Sequence, residues 1–409
     1  TNERKVVGDF FQNGVITTFH ELSNRSVEEL ESDLMDWSKT RPISLLIPSL
    51  YSEFEGDAIP KIISELRKVS YLDEVIIGLD NADREQFNKA KDALQALELR
   101  SRVIWNDGPG MQEIKEELAG QNLGPLERGK GGNVWYSMGY FLASGRGAVL
   151  GMHDADIVTY SREMLAKLIY PVANPTFGYV FSKGFYFRTD PNGFNGRVSR
   201  LLVTPLIRAL QQTLGQDDYL AYLDSFRYPL AGECAMNADV VLGLRIPFDW
   251  GLEIGVLSEV YRRYTSGRVC QVDLADAYDH KHQIVSEEDP NHGLHRMATD
   301  ITKSIYRKLA IRGQVFSQGI FRTLKATYYR TALDFVDHYT HDAEMNGFPV
   351  DRHREEQLVE MFAQTITAAG EQYLTRPMEL PLIPSWAVTA DAQPDVFNRV
   401  LEIVETDNS

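Results

Sequence analysis

The chain has 409 residues, 43% hydrophobic and 24% charged, a balance that buries a sizeable core and excludes a disordered polypeptide. Its 42 Lys and Arg face 58 Asp and Glu, and the resulting net charge of −16 excludes a basic nucleic-acid-binding surface. Two cysteines, Cys234 and Cys270, are too few for a disulfide framework or a four-cysteine zinc site. No run approaches the roughly 20 apolar residues of a membrane span, and residues 1–10 lack the apolar stretch of a signal peptide. A soluble, cytoplasmic protein is expected.

Ser26 followed by Glu29 makes a capping box, and Val27, Leu30, Leu34 and Trp37 then recur at helical spacing. From Ile43 short apolar runs alternate with helical patterns. Strands are predicted at 43–47, 75–79, 103–105 and 148–152, and helices at 59–66, 85–97 and, after a glycine-rich loop, 134–142. This alternation predicts an α/β fold, a mainly parallel, doubly wound sheet flanked by helices. Residues 179–182 and 185–188 are expected to pair as a hairpin around Lys183 and Gly184. Helices are expected at 198–214 and 254–264, and a strand at 269–272. From Met297 the chain turns helical, including 352–369, and Pro377, Pro381 and Pro384 predict an irregular tail. The expected organisation is an N-terminal helical segment (1–40), a sheet domain (41–290) and a helical C-terminal region (291–409).

In an open parallel sheet, ligands bind beyond the carboxyl ends of the strands. Pro48, Leu50 and Glu53 follow the first predicted strand, Asp80 the second, and Asp154-Ala155-Asp156 the fourth. An Asp-x-Asp at a strand end suits a hard divalent cation carrying a diphosphate, although two acids opening a loop is the plain alternative. Residues Gly124 to Lys130 match a P-loop, but Gly131 stands where that loop needs Ser or Thr, and no buried strand precedes it. What remains is a loop that delivers Lys130 to an anionic group. In Asp279-His280-Lys281-His282, a histidine can join a carboxylate on the same cation. Gly196-Arg197-Val198-Ser199, at a helix start, offers backbone N–H groups and a guanidinium to a carboxylate or phosphate. Pro229 to Glu233 and Asp249-Trp250-Gly251-Leu252-Glu253 each place a carboxylate and a glycine near an aromatic, a combination suited to sugar hydroxyls. Trp250 is by type equally a core residue.

Taken in order over roughly residues 48–282, these segments resemble the family of retaining GT-A glycosyltransferases that contains glucosyl-3-phosphoglycerate and mannosyl-3-phosphoglycerate synthases. The resemblance implies that Pro48, Leu50 and Glu53 hold the nucleotide base and that Asp80 and Lys130 contact the nucleotide and diphosphate. Asp154 would face the ribose, and Asp156 with His280 would coordinate Mg²⁺ or Mn²⁺. Gly196, Arg197, Val198 and Ser199, with Trp250, would hold the acceptor, and Glu253 would serve catalysis by orienting the transferred sugar. The implied activity is retaining transfer of a hexose, glucose first, from UDP-, GDP- or ADP-glucose to D-3-phosphoglycerate or D-glycerate, by a homodimer. Tyr278 and His282 stand where phosphoglycerate-using relatives carry Arg and Asn, which keeps free D-glycerate open as acceptor. Mannosyl transfer, a nucleotide-sugar hydrolase or pyrophosphorylase, and a catalytically silent binding module are the competing readings. No side chain declares itself a covalent nucleophile, so departure and attack on one face is expected, with Glu233 or Glu253 as the covalent alternative.

Overall fold

The computed structural model describes residues 12, 14–22, 24–190, 193–278, 293–377 and 382–409, the side chains of 276–278 excepted. After a short strand β1 (Thr17–Phe19), helix α1 (Val27–Ser38) starts as its sequence dictates. The Ser26 hydroxyl accepts the Glu29 N–H at 3.3 Å, and the Glu29 carboxylate accepts the Ser26 N–H at 2.8 Å. The alternating part comprises β2 (Ile43–Leu50), α2 (Ala58–Leu66), β3 (Leu72–Asp80), α3 (Arg84–Leu94), β4 (Arg100–Trp105), α4 (Pro109–Gly120), α5 (Lys130–Ser144), β5 (Val149–Met152) and α6 (Arg162–Ala173). A less regular part adds β6 (Phe181–Asp190), β7 (Gly193–Phe194), α7 (Thr204–Leu214), α8 (Asp218–Asp224), β8 (Cys234–Asn237), α9 (Ala238–Gly243), α10 (Leu252–Arg263) and β9 (Val269–Tyr278). Five helices close the chain: α11 (Gly293–Ile311), α12 (Gln318–Asn346), α13 (Arg352–Thr375), α14 (Trp386–Ala392) and α15 (Val396–Asn408).

Among these residues the strands form one sheet in the order β1-β9-β6-β8-β5-β2-β3-β4, with β7 on β6. All neighbours along that order run parallel except β8, which is antiparallel to both β5 and β6. The parallel α/β expectation holds. Leu45, Ile47, Val75 and Ile77 pack with α1, α2, α3 and α6, whereas Leu46, Ile76 and Ile104 pack with α4, α5, α7 and the C-terminal helices. Successive side chains thus enter opposite cores, and covering both faces makes these strands read as unbroken apolar runs.

Three expectations fail. No hairpin forms at Lys183-Gly184: β6 runs straight through, with Lys183 in register with Cys234 on β8 and Gln271 on β9. A strand held on both sides keeps its backbone extended through a polar pair. The helix expected at 198–214 begins as a π-helical turn, Val198–Val203, before α7. The tail is not irregular beyond Pro384, because α14 and α15 fold back onto the sheet. Trp386 stacks on Trp135 with centroids 4.0 Å apart and donates its indole N–H to the Trp135 carbonyl at 2.7 Å. The Trp135 indole in turn donates to the Pro384 carbonyl at 2.8 Å. Asn408 bonds both the N–H (2.9 Å) and the carbonyl (2.8 Å) of Val103, covering the outer strand β4. Among the described residues no helix is long and apolar enough to cross a membrane.

Candidate active site

The parallel register brings the strand ends together. Leu50, at the end of β2, is the register partner of Asp80 at the end of β3. Pro48 is buried inside β2, while Leu50 is 46% exposed. Burial, opposed by the Lys115 ammonium, pushes the Asp80 carboxyl up to about 6. Beyond β5, the His153 N–H continues the pairing by donating to the Leu46 carbonyl at 3.1 Å. The His153 ring is fully buried against Tyr160, and burial pulls it down to about 3 despite Asp154, so the imidazole is neutral.

Gly131 explains how the glycine-rich loop reaches this end of the sheet. A Cβ there would lie 2.2 Å from the Pro247 carbonyl oxygen, so only glycine lets the two backbones touch. That contact seats Lys130, the first residue of α5, with Nζ 2.7 Å from Asp154 Oδ1 and 3.2 Å from Glu253 Oε1. Glu253 sits in the first turn of α10, where the helix dipole favours a carboxylate, and Asp249 accepts the Gly251 N–H at 2.8 Å just before that turn. Burial works against the Lys130 charge, but the two carboxylates more than offset it and hold the ammonium well above the lysine range. About a third of the side chain stays open to solvent (32%), so an incoming anion can reach it.

Asp156 carries the opposite imbalance. Burial first, then the Asp154, Glu233 and Glu53 carboxylates, with the Lys130 ammonium opposing, push its carboxyl up to about 7. Crowded carboxylates such as these are the donor chemistry of a hard divalent cation, so these residues fit Mg²⁺ or Mn²⁺. Glu53 enters from the 3₁₀ turn Tyr51–Glu55. Glu233 is fully buried and accepts the Tyr186 hydroxyl at 2.6 Å. At Gly232 a Cβ would lie 2.3 Å from Asp154 Oδ2, so backbone packs directly on that carboxylate. His280, expected as the second metal ligand, and His282 lie outside the described residues, as does the Tyr278 side chain. Among the described residues no three His, Cys, Asp or Glu side chains make a metal cage by themselves.

The Gly196-Arg197-Val198-Ser199 segment is linked to this cluster through aromatics. The Tyr186 ring packs against Tyr228 at 5.1 Å, Arg188 donates to the Tyr228 hydroxyl at 3.3 Å, and a Cβ on Gly196 (φ +69°) would meet the Tyr228 ring at 3.2 Å. Gly196 is thus connected to Glu233 through two rings, Tyr228 and Tyr186. Val198 and Ser199 are buried in the π-helical turn, and Trp250 is 37% exposed beside Gly251.

One residue of this neighbourhood escapes sequence reasoning. Lys183 is buried in β6 and donates to the Ala231 carbonyl. Burial lowers its ammonium, while Cys234, Glu253 and Glu233 oppose that. A lysine inside the run Phe181 to Phe185 was the signal available for it.

No protein-family model matches the sequence. The chain is 44% identical over 403 residues to the glucosyl-3-phosphoglycerate synthase of Persephonella marina, covering 98% of this chain and 100% of that protein. It is 37% identical over 398 residues to the glucosyl-3-phosphoglycerate synthase of Methanococcoides burtonii, covering 96% of each. Its fold is similar to that of the glucosyl-3-phosphoglycerate synthase of Mycobacterium tuberculosis in complex with Mn²⁺, UDP-glucose and phosphoglyceric acid. The TM-score is 0.54 at 22% identity, over 72% of this chain and 88% of that one. The same mycobacterial enzyme in complex with Mg²⁺ and UDP gives 0.52 at 22% identity.

Proposed function

The chain belongs to the glucosyl-3-phosphoglycerate synthase family, and from that premise we propose that it transfers glucose from UDP-glucose to the free hydroxyl of D-3-phosphoglycerate, retaining the anomeric configuration. The observation that carries the reading is the Lys130 ammonium, set between Asp154 and Glu253 at the carboxyl end of the sheet. Leu50 and Asp80 offer an apolar surface and a carboxylate, side by side, to the nucleoside. Asp156 and His280 would hold the cation, which would supply Lewis-acid charge where the diphosphate departs. Lys130 reaches the diphosphate oxygens, where negative charge grows as the bond from the anomeric carbon to UDP breaks.

Glu253 faces the sugar side of the cluster and orients its hydroxyls. Arg197 meets an anionic group of the acceptor. The acceptor oxygen bonds to the anomeric carbon on the face that UDP leaves, and its proton passes to the departing phosphate oxygen. Glu233 supports this front-face route over a covalent one, because it is fully buried and occupied by the Tyr186 hydroxyl.

Incubation with UDP-glucose, Mg²⁺ and D-3-phosphoglycerate tests the reading. A phosphorylated, α-linked glucosylglycerate is expected. Equal UDP release with and without the acceptor would mark a hydrolase instead.

A further inference from the structure

We propose that the hairpin of α12 and α13 completes the acceptor site, with Arg354 receiving the phosphate of 3-phosphoglycerate opposite Arg197. The proposal rests on the acceptor role of Arg197 given above. It starts from a cavity of about 170 Å³ with Arg197 and Phe194 on one wall and Tyr339, Asp351, Arg354 and Glu355 on the other. That volume is several times the roughly 30 Å³ share of one water, enough for a phosphate-sized anion.

The two walls are locked together. Arg200, in the π-helical turn that follows Arg197, holds Glu355 of α13 with both guanidinium nitrogens, at 2.5 and 3.3 Å. Both side chains are buried (7% and 8% exposed), and the Arg200 guanidinium lies over the Tyr339 ring of α12 at 4.6 Å. The Phe194 ring packs on Phe348 at 5.5 Å, and a Cβ on Gly193 would lie 2.5 Å from the Pro349 carbonyl oxygen. A site built across this seam keeps its geometry.

With Glu355 paired to Arg200, the described charges lining the cavity are Arg197 and Arg354 against Asp351. Asp351 caps α13 by accepting the Arg354 N–H at 3.0 Å. The first turn of α13, a 24-residue helix, contributes its positive end to the same cavity. A phosphomonoester carries about −1.5 to −2 near pH 7 and the acceptor's carboxylate a further unit, more than one guanidinium balances. Arg354 supplies a second guanidinium at the cavity, from a part of the chain for which the sequence offered no task.

The test compares the native chain with Arg354→Ala and Arg354→Lys. KM for each substrate is measured with UDP-glucose and Mg²⁺, and the Kd of 3-phosphoglycerate and of D-glycerate is measured by calorimetry. For Arg354→Ala, both KM and Kd for 3-phosphoglycerate should rise at least tenfold. KM for UDP-glucose and Kd for D-glycerate should stay within about twofold, and Arg354→Lys should recover part of the loss. Inorganic phosphate should compete with 3-phosphoglycerate in the native chain and more weakly in Arg354→Ala. An unchanged 3-phosphoglycerate Kd, or an equal loss for both acceptors, would overturn the proposal. A native chain that binds 3-phosphoglycerate through Arg354 but makes no product would instead overturn the functional reading and leave this site standing.

Discussion

Lys130 Nζ lies 2.7 Å from Asp154 Oδ1, joining the first residue of α5 to the loop that follows β5. Glu253, 3.2 Å away on the other side, makes the lysine the junction of three elements that approach from separate parts of the chain. If this ammonium stabilises the departing diphosphate, Lys130→Ala should lower kcat by about 10²- to 10³-fold, the usual cost of removing one such donor. Lys130→Arg should restore little, because a planar guanidinium does not reproduce the compact ammonium held 2.7 Å from Asp154 and 3.2 Å from Glu253. Steady-state kinetics decide this, and a loss below tenfold would remove Lys130 from the chemistry.

Metal binding should release protons. The Asp156 carboxyl is pushed up to about 7 by burial and its acidic neighbours, and it must ionise to hold a cation. Calorimetric titration with Mn²⁺ at pH 6.5, in buffers of different ionisation enthalpy, should show net proton release that Asp156→Asn abolishes. Chelation should stop turnover in the native chain, and added Mg²⁺ or Mn²⁺ should restore it.

Asp80 should make stability fall as pH rises. Its folded carboxyl titrates at about 6 and an ordinary aspartate at 3.8, so the folded chain binds more protons between those values. The contribution is present below pH 3.8 and is lost by about pH 6. Relative to the native chain, Asp80→Asn should therefore gain on the order of 2–3 kcal/mol between pH 4 and pH 7, at 1.36 kcal/mol per pH unit. Urea unfolding at the two pH values measures the difference, and a gap that does not change with pH rejects it.

Trp386 should carry much of the stability of the C-terminal helices. It is 1% exposed, stacks on Trp135, and would touch a Cβ added at Gly139 at 2.1 Å. Trp386→Ala should cost about 3–5 kcal/mol through lost burial and the cavity left behind. Gly139→Ala should cost about 1–3 kcal/mol by overpacking. Because α5 bears both Trp135 and Lys130, both variants should also lose activity before the fold melts globally, which kinetics run beside chemical denaturation will show.

The strands that frame the carboxyl end of the sheet are legible because both faces of the sheet are covered, so their apolar runs are unbroken, and Asp80, Asp154 and Asp156 stand where those runs stop. Lys130 was legible from its glycines. What stayed hidden depends on contacts distant in sequence. Lys183-Gly184 looks like a turn until β8 and β9 hold it extended. Helix α4 lies in the stretch that reads as a loop between 105 and 134, although Met111, Ile114 and Leu118 lie on one of its faces. The short α14 is built largely of alanine, threonine and valine, and its place is set by Trp386 reaching Trp135. Arg354 looks like any charge in the first turn of a helix, and only the packing of α13 beside Arg197 gives it a role.

The most direct measurement is product formation from UDP-glucose and D-3-phosphoglycerate with Mg²⁺ or Mn²⁺, followed by NMR and mass spectrometry. Acceptor-dependent UDP release, stoichiometric with an α-linked glucosyl-3-phosphoglycerate, is expected. UDP and free glucose appearing at the same rate without acceptor, or a β-linked product, would contradict it.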